Sequence, residues 1–563
     1  MIIRRVFFML TLATNFSLWS QKSPTSNYRS PLDIPLELAA NFGEIRPDHF
    51  HMGVDFKTGG KEGLKLYAIE NGFVSRIKVS PDGYGKSVYI DHPDGRTSVY
   101  AHCSEFKGKI DSLTKLIQRA EENFEVDIYL RSEDILVKKG QIIALSGNTG
   151  HSFAPHLHFE IRDTKTEDAL NPLLFGFNVQ DHKKPEIRSL KIHALTEEGY
   201  IIPGKSIEQK VVQHSQDYTL EKGTVYLSES FFEQGPIGIS VMSSDHFDRG
   251  NNTCGIYSSA LKSNGKLIFS QRMDRISFEQ TRFVNDHVDL EAYTQRKQEF
   301  QKAFKSQSNP LGIYSDQLSG RIYIQPGETI PFELTLMDLH RNSSTLAFKL
   351  SRTGRSQSKT PFYGTGKYFH PDSSYFFQDS KHVVNILKNT FYQPVLKIVE
   401  MSDNEIRISD AKNSIQLPIE LSFKLSDSLP DPEKYYISRT GKNGKESSIE
   451  CMLVNDWITG NTKNTGLFHL RKDVSPPKVV PLGFSSGSKV NQSILKWKVS
   501  DSSTEITDYD LFIDGQWHLI ELEKKGSFLL FKKPSGMKGK KNLELRVTDQ
   551  CGNNAFWRGT LNF

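Results

Sequence analysis

Two short patches, His49-Phe-His-Met-Gly-Val-Asp55 and Pro155-His-Leu-His-Phe-Glu160, carry four histidines and the carboxylate of Asp55 at a spacing that lets them act together, with Glu160 closing the second patch. A third patch, Tyr100-Ala-His102, lies between them. In an extended chain, side chains i, i+2 and i+4 point to one face. His51 and Asp55 then share a face, as do His156 and His158. Two such strands side by side converge two imidazoles, a carboxylate and a spare imidazole on one point. That is a zinc site with three protein ligands and an open fourth position, the arrangement of a hydrolytic rather than a structural zinc.

The elements that must position these residues are strands and turns. Leu64–Ile69, Gly72–Val79 and Ser87–Asp91 alternate apolar and polar residues, the period of a half-buried strand. Pro81-Asp-Gly83, His92-Pro-Asp-Gly95 and Gly147-Asn-Thr-Gly150 are turn signals. The pattern predicts a compact antiparallel β-sheet domain. One stretch departs from it: Ile110, Leu113, Leu116, Ile117 and Ala120 recur at helical spacing. This predicts a helical insertion over about 106–136, read as packed on the surface rather than as a wall or lid of a groove.

Six motifs stand in order along this segment: His51-Met-Gly-Val-Asp55, Gly83–His92, Thr97–His102, Val137–Gln141, Gly147–Gly150 and His156–Glu160. In them, residues from about 35 to 175 resemble the lysostaphin/LytM-type zinc metallo-endopeptidases, which cut peptidoglycan cross-bridges. The resemblance implies a β-sandwich-like core with an open groove, and one zinc ion held by His51, Asp55 and His158. It implies that His102 and His156 flank the metal and take part in catalysis. Peptide hydrolysis needs a base for the attacking water and an acid for the leaving amine, and histidine suits both near neutral pH. Three further residues are candidate substrate contacts. Arg46 suits a carboxylate of a stem peptide, His49 shares the parity of His51, and Asn148 lies in a glycine-rich loop able to pass close to substrate. Two rival functions are a non-catalytic LytM-like activator of a cell-wall amidase and a secreted lytic protease. The activator is disfavoured because such relatives usually lack some zinc ligands and this chain keeps all three.

The chain has 563 residues, too many for a single core. Its net charge is +5, from 71 basic against 66 acidic residues. That balance marks no nucleic-acid partner. Arg4-Arg5, followed by apolar Val6–Ala13 and then Ser20-Gln21, predicts a signal peptide over 1–20 and an exported protein, periplasmic or secreted, with no transmembrane segment in the mature chain. Cys103, Cys254, Cys451 and Cys551 are far apart, which predicts buried single thiols rather than a disulfide scaffold.

The fold class predicted is all-β, a LytM-type peptidase domain followed by Ig-like or fibronectin-like β-sandwiches. After the enzyme domain at 21–182, sandwiches are expected at 185–300, 301–425 and 476–563, with 426–475 a linker or part of a β-domain. Short alternating runs such as Leu495-Lys-Trp-Lys-Val499 support this, as do three Asp-led turns. Those turns are Asp245 on to Gly250-Asn-Asn, Asp338 on to Arg341-Asn342, and Asp549 on to Gly552-Asn-Asn. Peptidoglycan is the expected partner, with a cell-envelope protein a further candidate through the C-terminal β-domains. The 21–182 segment is expected to act alone.

Overall fold

The computed structural model describes residues 27–563 except 216, 316–317, 355–367, 397–398, 410–414, 427–429 and 442–443. The signal segment expected at 1–20 lies outside the described residues. The protein is mostly β, as the alternation predicts.

The first sheet is antiparallel. Its strands run in the order Leu38–Ala40, Val54–Lys57, His156–Asp163, Arg96–Ala101, Lys86–Asp91, Gly72–Val79 and Val126–Tyr129. The strand His156–Asp163 explains how the sheet is used. Leu157, Phe159 and Ile161 are buried on one face, and Phe159 packs edge-on against Tyr100 and Phe177 at ring centroids of 5.3 and 5.4 Å. Each such side chain contributes roughly 1.5–3 kcal/mol through burial. The alternate residues His156, His158 and Glu160 occupy the other face. Register places His158 opposite Asp55 and Phe159 opposite Val54. The core pairs thus hold the polar pairs in step, because a slip of one residue would exchange the two faces.

The expected helix forms at Gly108–Ala120. Its buried residues are Ile110, Thr114 and Gln118, while Leu116 stands exposed. The helix lines a cleft of about 870 Å³ shared with Gln516, Trp517 and His518. The helix thus faces the C-terminal module across this cleft.

Residues 186–353 form one nine-stranded sheet. This corrects the boundary expected at 300/301. Thr329–Met337 pairs with Ser258–Ser263, and Ser343–Thr353 runs parallel to Asp217–Ser228. These pairings span long crossovers that local turn signals do not reveal. The first hydrophobic core is also continuous from Leu32 to Leu350. The joint near 182–185 is packed: Ala169–Leu170 pairs with Arg275–Ile276, and the Thr281 hydroxyl accepts from the Phe50 amide at 2.8 Å. The segment 21–182, expected to act alone, is therefore packed against the module that follows it.

Residues 369–472 form two principal sheets around their own core, with Trp457–Thr462 paired to Ile419–Lys424. The stretch 426–475 supplies strands to these sheets. Residues 478–562 make two four-stranded sheets around Trp497, Leu511 and Leu545.

Candidate metal centre

Asp55 and His158 meet on adjacent strands, as register requires. His51 reaches them differently from the strand reading. The strand begins only at Val54, so His51 comes from the preceding loop. Gly53 lets that loop cross close to the neighbouring strand, since a Cβ there would lie 2.5 Å from the Phe159 carbonyl oxygen. Three donor atoms converge as a result. His51 Nε2 is 3.0 Å from Asp55 Oδ1 and 3.1 Å from His158 Nδ1, and His158 Nδ1 is 2.9 Å from Asp55 Oδ1.

The opposite ring nitrogens are already committed. His51 Nδ1 lies 2.8 Å from the Asn41 carbonyl, and His158 Nε2 lies 2.9 Å from Glu160 Oε1. Carbonyl and carboxylate oxygens only accept, so both outer nitrogens carry the proton. In the neutral rings the two inner nitrogens are then bare lone pairs, aimed at one another and at a carboxylate. Such a cluster needs a positive charge at its centre, either a proton on His158 Nδ1 donated to Asp55 or a metal ion in its place, and N,N,O donation from two imidazoles and one carboxylate suits zinc. The residues present therefore fit the ion that the resemblance implies. In the metal-free cluster, burial lowers the His158 pKa, but hydrogen bonds to Asp55 and Glu160 outweigh it and raise it to about 9. Burial would raise Asp55, yet His51, His156 and His158 hold it well below the usual carboxylate range.

His102 and His156 flank this cluster, with ring centroids 4.8 Å apart. His102 follows the end of its strand in a left-handed conformation, φ 57°, a strain seen at functional sites. Its Nδ1 donates to the Thr149 carbonyl at 2.8 Å. Burial, with His158 and His156 adding to it, lowers its pKa to about 3. His156 Nδ1 donates to the Ala154 carbonyl at 2.8 Å, and its Nε2 faces Asp55 Oδ1 at 3.5 Å. His156 therefore presents Nε2 to the cluster, and the His102 ring, 5.9 Å from that of His158, keeps its Nε2 free of the backbone carbonyl that holds Nδ1.

The residues that hold the ligands in place are Glu160, which the sequence marks as able to orient a ligand, and two partners that no local pattern reveals, Tyr84 and Arg162. Glu160 is fully buried. Besides His158, it accepts from the Tyr84 hydroxyl and from Arg162 Nε, the latter at 2.6 Å. Burial would raise its pKa, but Arg162 and His158 bring it down to about 2. Tyr84 lies in the turn Gly83-Tyr-Gly85, whose glycines interlock with Thr149-Gly150. A Cβ on Gly150 would meet the Gly85 nitrogen at 2.3 Å.

The three substrate candidates separate. Arg46 Nη2 lies 3.7 Å from Asp55 Oδ2, beside the cluster. His49 pairs with Asp48, which pairs in turn with Arg282. The Asn148 carbonyl accepts from Lys525 Nζ at 3.0 Å. Beside it Lys524 pairs with Asp82 at 3.0 Å and Lys86 with Glu521 at 3.1 Å. The C-terminal sandwich thus rests on both loops of the rim. Cys103 is no nucleophile, since burial pushes its thiol up to about 12.

Residues 49–116 and 125–172 match the model of peptidase family M23. This segment is an M23 peptidase domain. The gap in the match, 117–124, falls at the end of the inserted helix. An uncharacterized metalloprotease of Haemophilus influenzae is 36% identical over 131 residues, which are 23% of this chain and 21% of that one. The DD-carboxypeptidase/endopeptidase Mpg of Neisseria meningitidis serogroup B is 31% identical over 112 residues, 20% of each chain. The chain thus spans about a fifth of the length of these curated relatives. Among solved structures, the catalytic domain of lysostaphin from Staphylococcus simulans is 27% identical. That match covers 24% of this chain and 86% of that one, with a TM-score of 0.18.

Proposed function

We propose that the chain is an exported zinc metallo-endopeptidase that hydrolyses the peptide cross-links of bacterial peptidoglycan. The observation that carries this reading is the meeting of His51 Nε2, Asp55 Oδ1 and His158 Nδ1, with the imidazoles of His156 and His102 beside them. These three atoms would hold one zinc ion, which supplies Lewis acidity at the scissile carbonyl and acidifies water toward a pKa of roughly 7.

The chain's own residues do the rest. His102 is neutral and its Nε2 is bare, so it can take a proton from the attacking water. His156 lies within reach of the same space, so the pair can return a proton to the leaving amine. The Thr149 and Ala154 carbonyls hold the two rings in one tautomer, so neither ring must reorient before reacting. Arg46 beside Asp55 offers a cation to a carboxylate on the substrate peptide. The M23 domain and the activity named for the Neisseria relative support a wall substrate. Export is supported by the basic and apolar N-terminal pattern. Among the described residues no helix is long and apolar enough to cross a membrane. The β-modules after residue 186 remain candidates for binding a cell-envelope protein.

The test combines metal content with digestion of purified sacculi. His51→Ala and His158→Ala lose zinc, since each removes one of three ligands. His102→Ala and His156→Ala keep zinc and lose about 10²–10⁴ in turnover. Full zinc content in the first pair, or parental digestion by the second, overturns the assignment.

A further inference from the structure

A second group of buried acids lies away from the zinc centre, at the joint between the M23 domain and the nine-stranded module. Asp181 sits on the connector that leads into the strand beginning at Glu186. Asp245 follows the strand Ile237–Ser244, and Asp338 lies in the turn between Thr329–Met337 and Ser343–Thr353. All three are buried, at 4%, 2% and 2% exposure. Potential ligand atoms of Asp181, Asp338 and His340 fall within 4.8 Å of one another.

The hydrogen bonds show what this cluster lacks. Asp338 is held by Asn342, through its backbone amide at 2.8 Å and its side-chain amide at 2.6 Å. The same Asn342 side chain donates to the Asp181 carbonyl at 3.3 Å, and Asp181 Oδ1 accepts from the Lys183 amide at 3.0 Å. Two carboxylate oxygens are left over, Asp181 Oδ2 and Asp245 Oδ1, both buried without a hydrogen-bond partner. A buried carboxylate oxygen without a donor or cation is costly. Among the described residues no lysine or arginine forms an ion pair with any of the three acids. The imidazole of His340, a third exposed, has Nδ1 3.9 Å from Asp181 Oδ2. Burial and mutual repulsion raise both Asp181 and Asp245 to about 7.

The C-terminal sandwich repeats this wiring around Asp473 and Asp549, with Asp501 Oδ2 beside them also buried and unpartnered. Asn553 holds Asp549 through its two amides and donates to the Asp473 carbonyl at 3.1 Å, while Asp473 Oδ1 accepts from the Ser475 amide. There, the Thr504 hydroxyl occupies Asp473 Oδ2 at 2.9 Å. The equivalent oxygen of Asp181 has no such hydroxyl. The two sites differ at this one oxygen, which a hydroxyl fills in the C-terminal sandwich and nothing fills on Asp181.

We propose that Asp181 and Asp338, with the unpartnered Asp245 completing the pocket beside them, bind one calcium ion, which ties the connector to two turns of the nine-stranded module. Carboxylate and carbonyl oxygens are the donors that calcium prefers, and several carboxylates in one pocket match its high coordination number. The Asp181 backbone already leans on the same turn through Asn342, so the ion would lock the joint between catalytic domain and module. Extracellular calcium sites of this kind have Kd on the order of 10⁻⁴–10⁻³ M, which suits an exported protein.

Calcium titration of the zinc-loaded full chain by calorimetry tests the proposal. One ion is expected, and a hundredfold excess over Kd raises the folded-to-unfolded ratio about a hundredfold. Asp245→Asn should lose this ion and its thermal shift. It removes a repelling charge, so without calcium the variant should melt no lower than the parent, and its zinc content should be unchanged. Asp549→Asn should keep the ion. The proposal is overturned if the parent binds no calcium at millimolar concentration, as when a proton shared between Asp181 and Asp338 suffices. It is equally overturned if Asp245→Asn still binds calcium, if Asp549→Asn is the variant that loses it, or if the site takes zinc alone.

Discussion

Replacing Glu160 by glutamine tests how the zinc ligands are held. Three donors converge on this carboxylate: His158 Nε2–H and the Tyr84 hydroxyl on Oε1, and Arg162 Nε–H on Oε2. Glutamine keeps the shape but offers one acceptor oxygen and an amide that can only donate. If the oxygen stays with His158, the amide faces Arg162 Nε–H and a buried guanidinium loses its counter-charge. Stripping one partner from a buried pair destabilises by about 3–5 kcal/mol. The Arg162 stacking on Phe278, at 4.2 Å, moderates the loss. If the oxygen turns to Arg162, His158 loses the acceptor that fixes its tautomer. Loss of such a supporting group typically weakens metal binding 10–100-fold, about 1.4–2.7 kcal/mol. The expected outcome of Glu160→Gln is thus a lower midpoint in urea and a zinc affinity down by one to two decades in competition with a chelator. A second replacement, Arg162→Met, should recover stability and leave zinc affinity low. Zinc affinity within twofold of the parent would refute the role given to Glu160.

Three further outcomes are expected. His193 and His287 are fully buried, and burial lowers both to about 3 from 6.5. Their folded pKa lies below the unfolded one, so their contribution is complete above about pH 6.5 and is lost as pH falls toward 3. Each then adds up to about 1.4 kcal/mol per pH unit to the slope of stability, and His287→Gln should flatten the slope of urea stability between pH 6 and 4 by about that amount. A fragment ending at 182 exposes the faces covered by Thr281 and Arg275–Ile276 and should aggregate, whereas 27–354 should fold and bind zinc; a monomeric, zinc-binding 27–182 in size-exclusion chromatography would contradict the continuous core. Phe153 stands 97% exposed in the loop before His156; if it packs on substrate, Phe153→Ala should raise KM for sacculi about 5–30-fold, the equivalent of 1–2 kcal/mol of apolar contact, with kcat unchanged, and an unaltered KM would remove it from the substrate surface.

What was legible in the sequence is what a period of two residues encodes. Leu495, Trp497 and Val499 are buried while Lys496 and Lys498 are exposed, and His156 and His158 share a face for the same local reason. The same period misleads where a strand is covered on both sides. Leu190-Lys-Ile-His-Ala194 alternates like a half-exposed strand, yet Lys191 and His193 are buried, satisfied by Asp289 and by Ser206 and Ser240. Partners distant in sequence were not legible at all. Lys525 reaches Asn148 across 377 positions and Tyr84 reaches Glu160 across 76, and no local pattern carries either pairing. His51 entered as a ligand through parity and resemblance, but its place depends on Gly53 slipping past the Phe159 carbonyl, a contact that only register determines.

The dependence of the site on distant elements follows from how its rings are aimed. A ligand imidazole must be fixed at the nitrogen that does not bind metal. For His51 that anchor is the Asn41 carbonyl, and Asn41 is itself clamped by two hydrogen bonds to the Gly255 backbone, at 2.7 and 2.9 Å. Gly255 belongs to the nine-stranded module. For His102 the anchor is the Thr149 carbonyl, and the loop bearing it carries the Asn148 contact with Lys525 of the C-terminal sandwich. One imidazole is thus aimed through the module that follows the M23 domain, and another through a loop braced by the last module of the chain. A displacement of about 1 Å at a catalytic group can reduce turnover on the order of 100-fold, so motion at either joint reaches the chemistry without touching a ligand. The β-modules are therefore part of the positioning of the site as well as candidates for wall or partner binding. A variant that loosens Lys525 should lower turnover before it lowers zinc content, because it reaches only the ring of His102, whereas one that loosens Gly255 should weaken zinc binding as well, because it frees the acceptor that fixes the ligand His51.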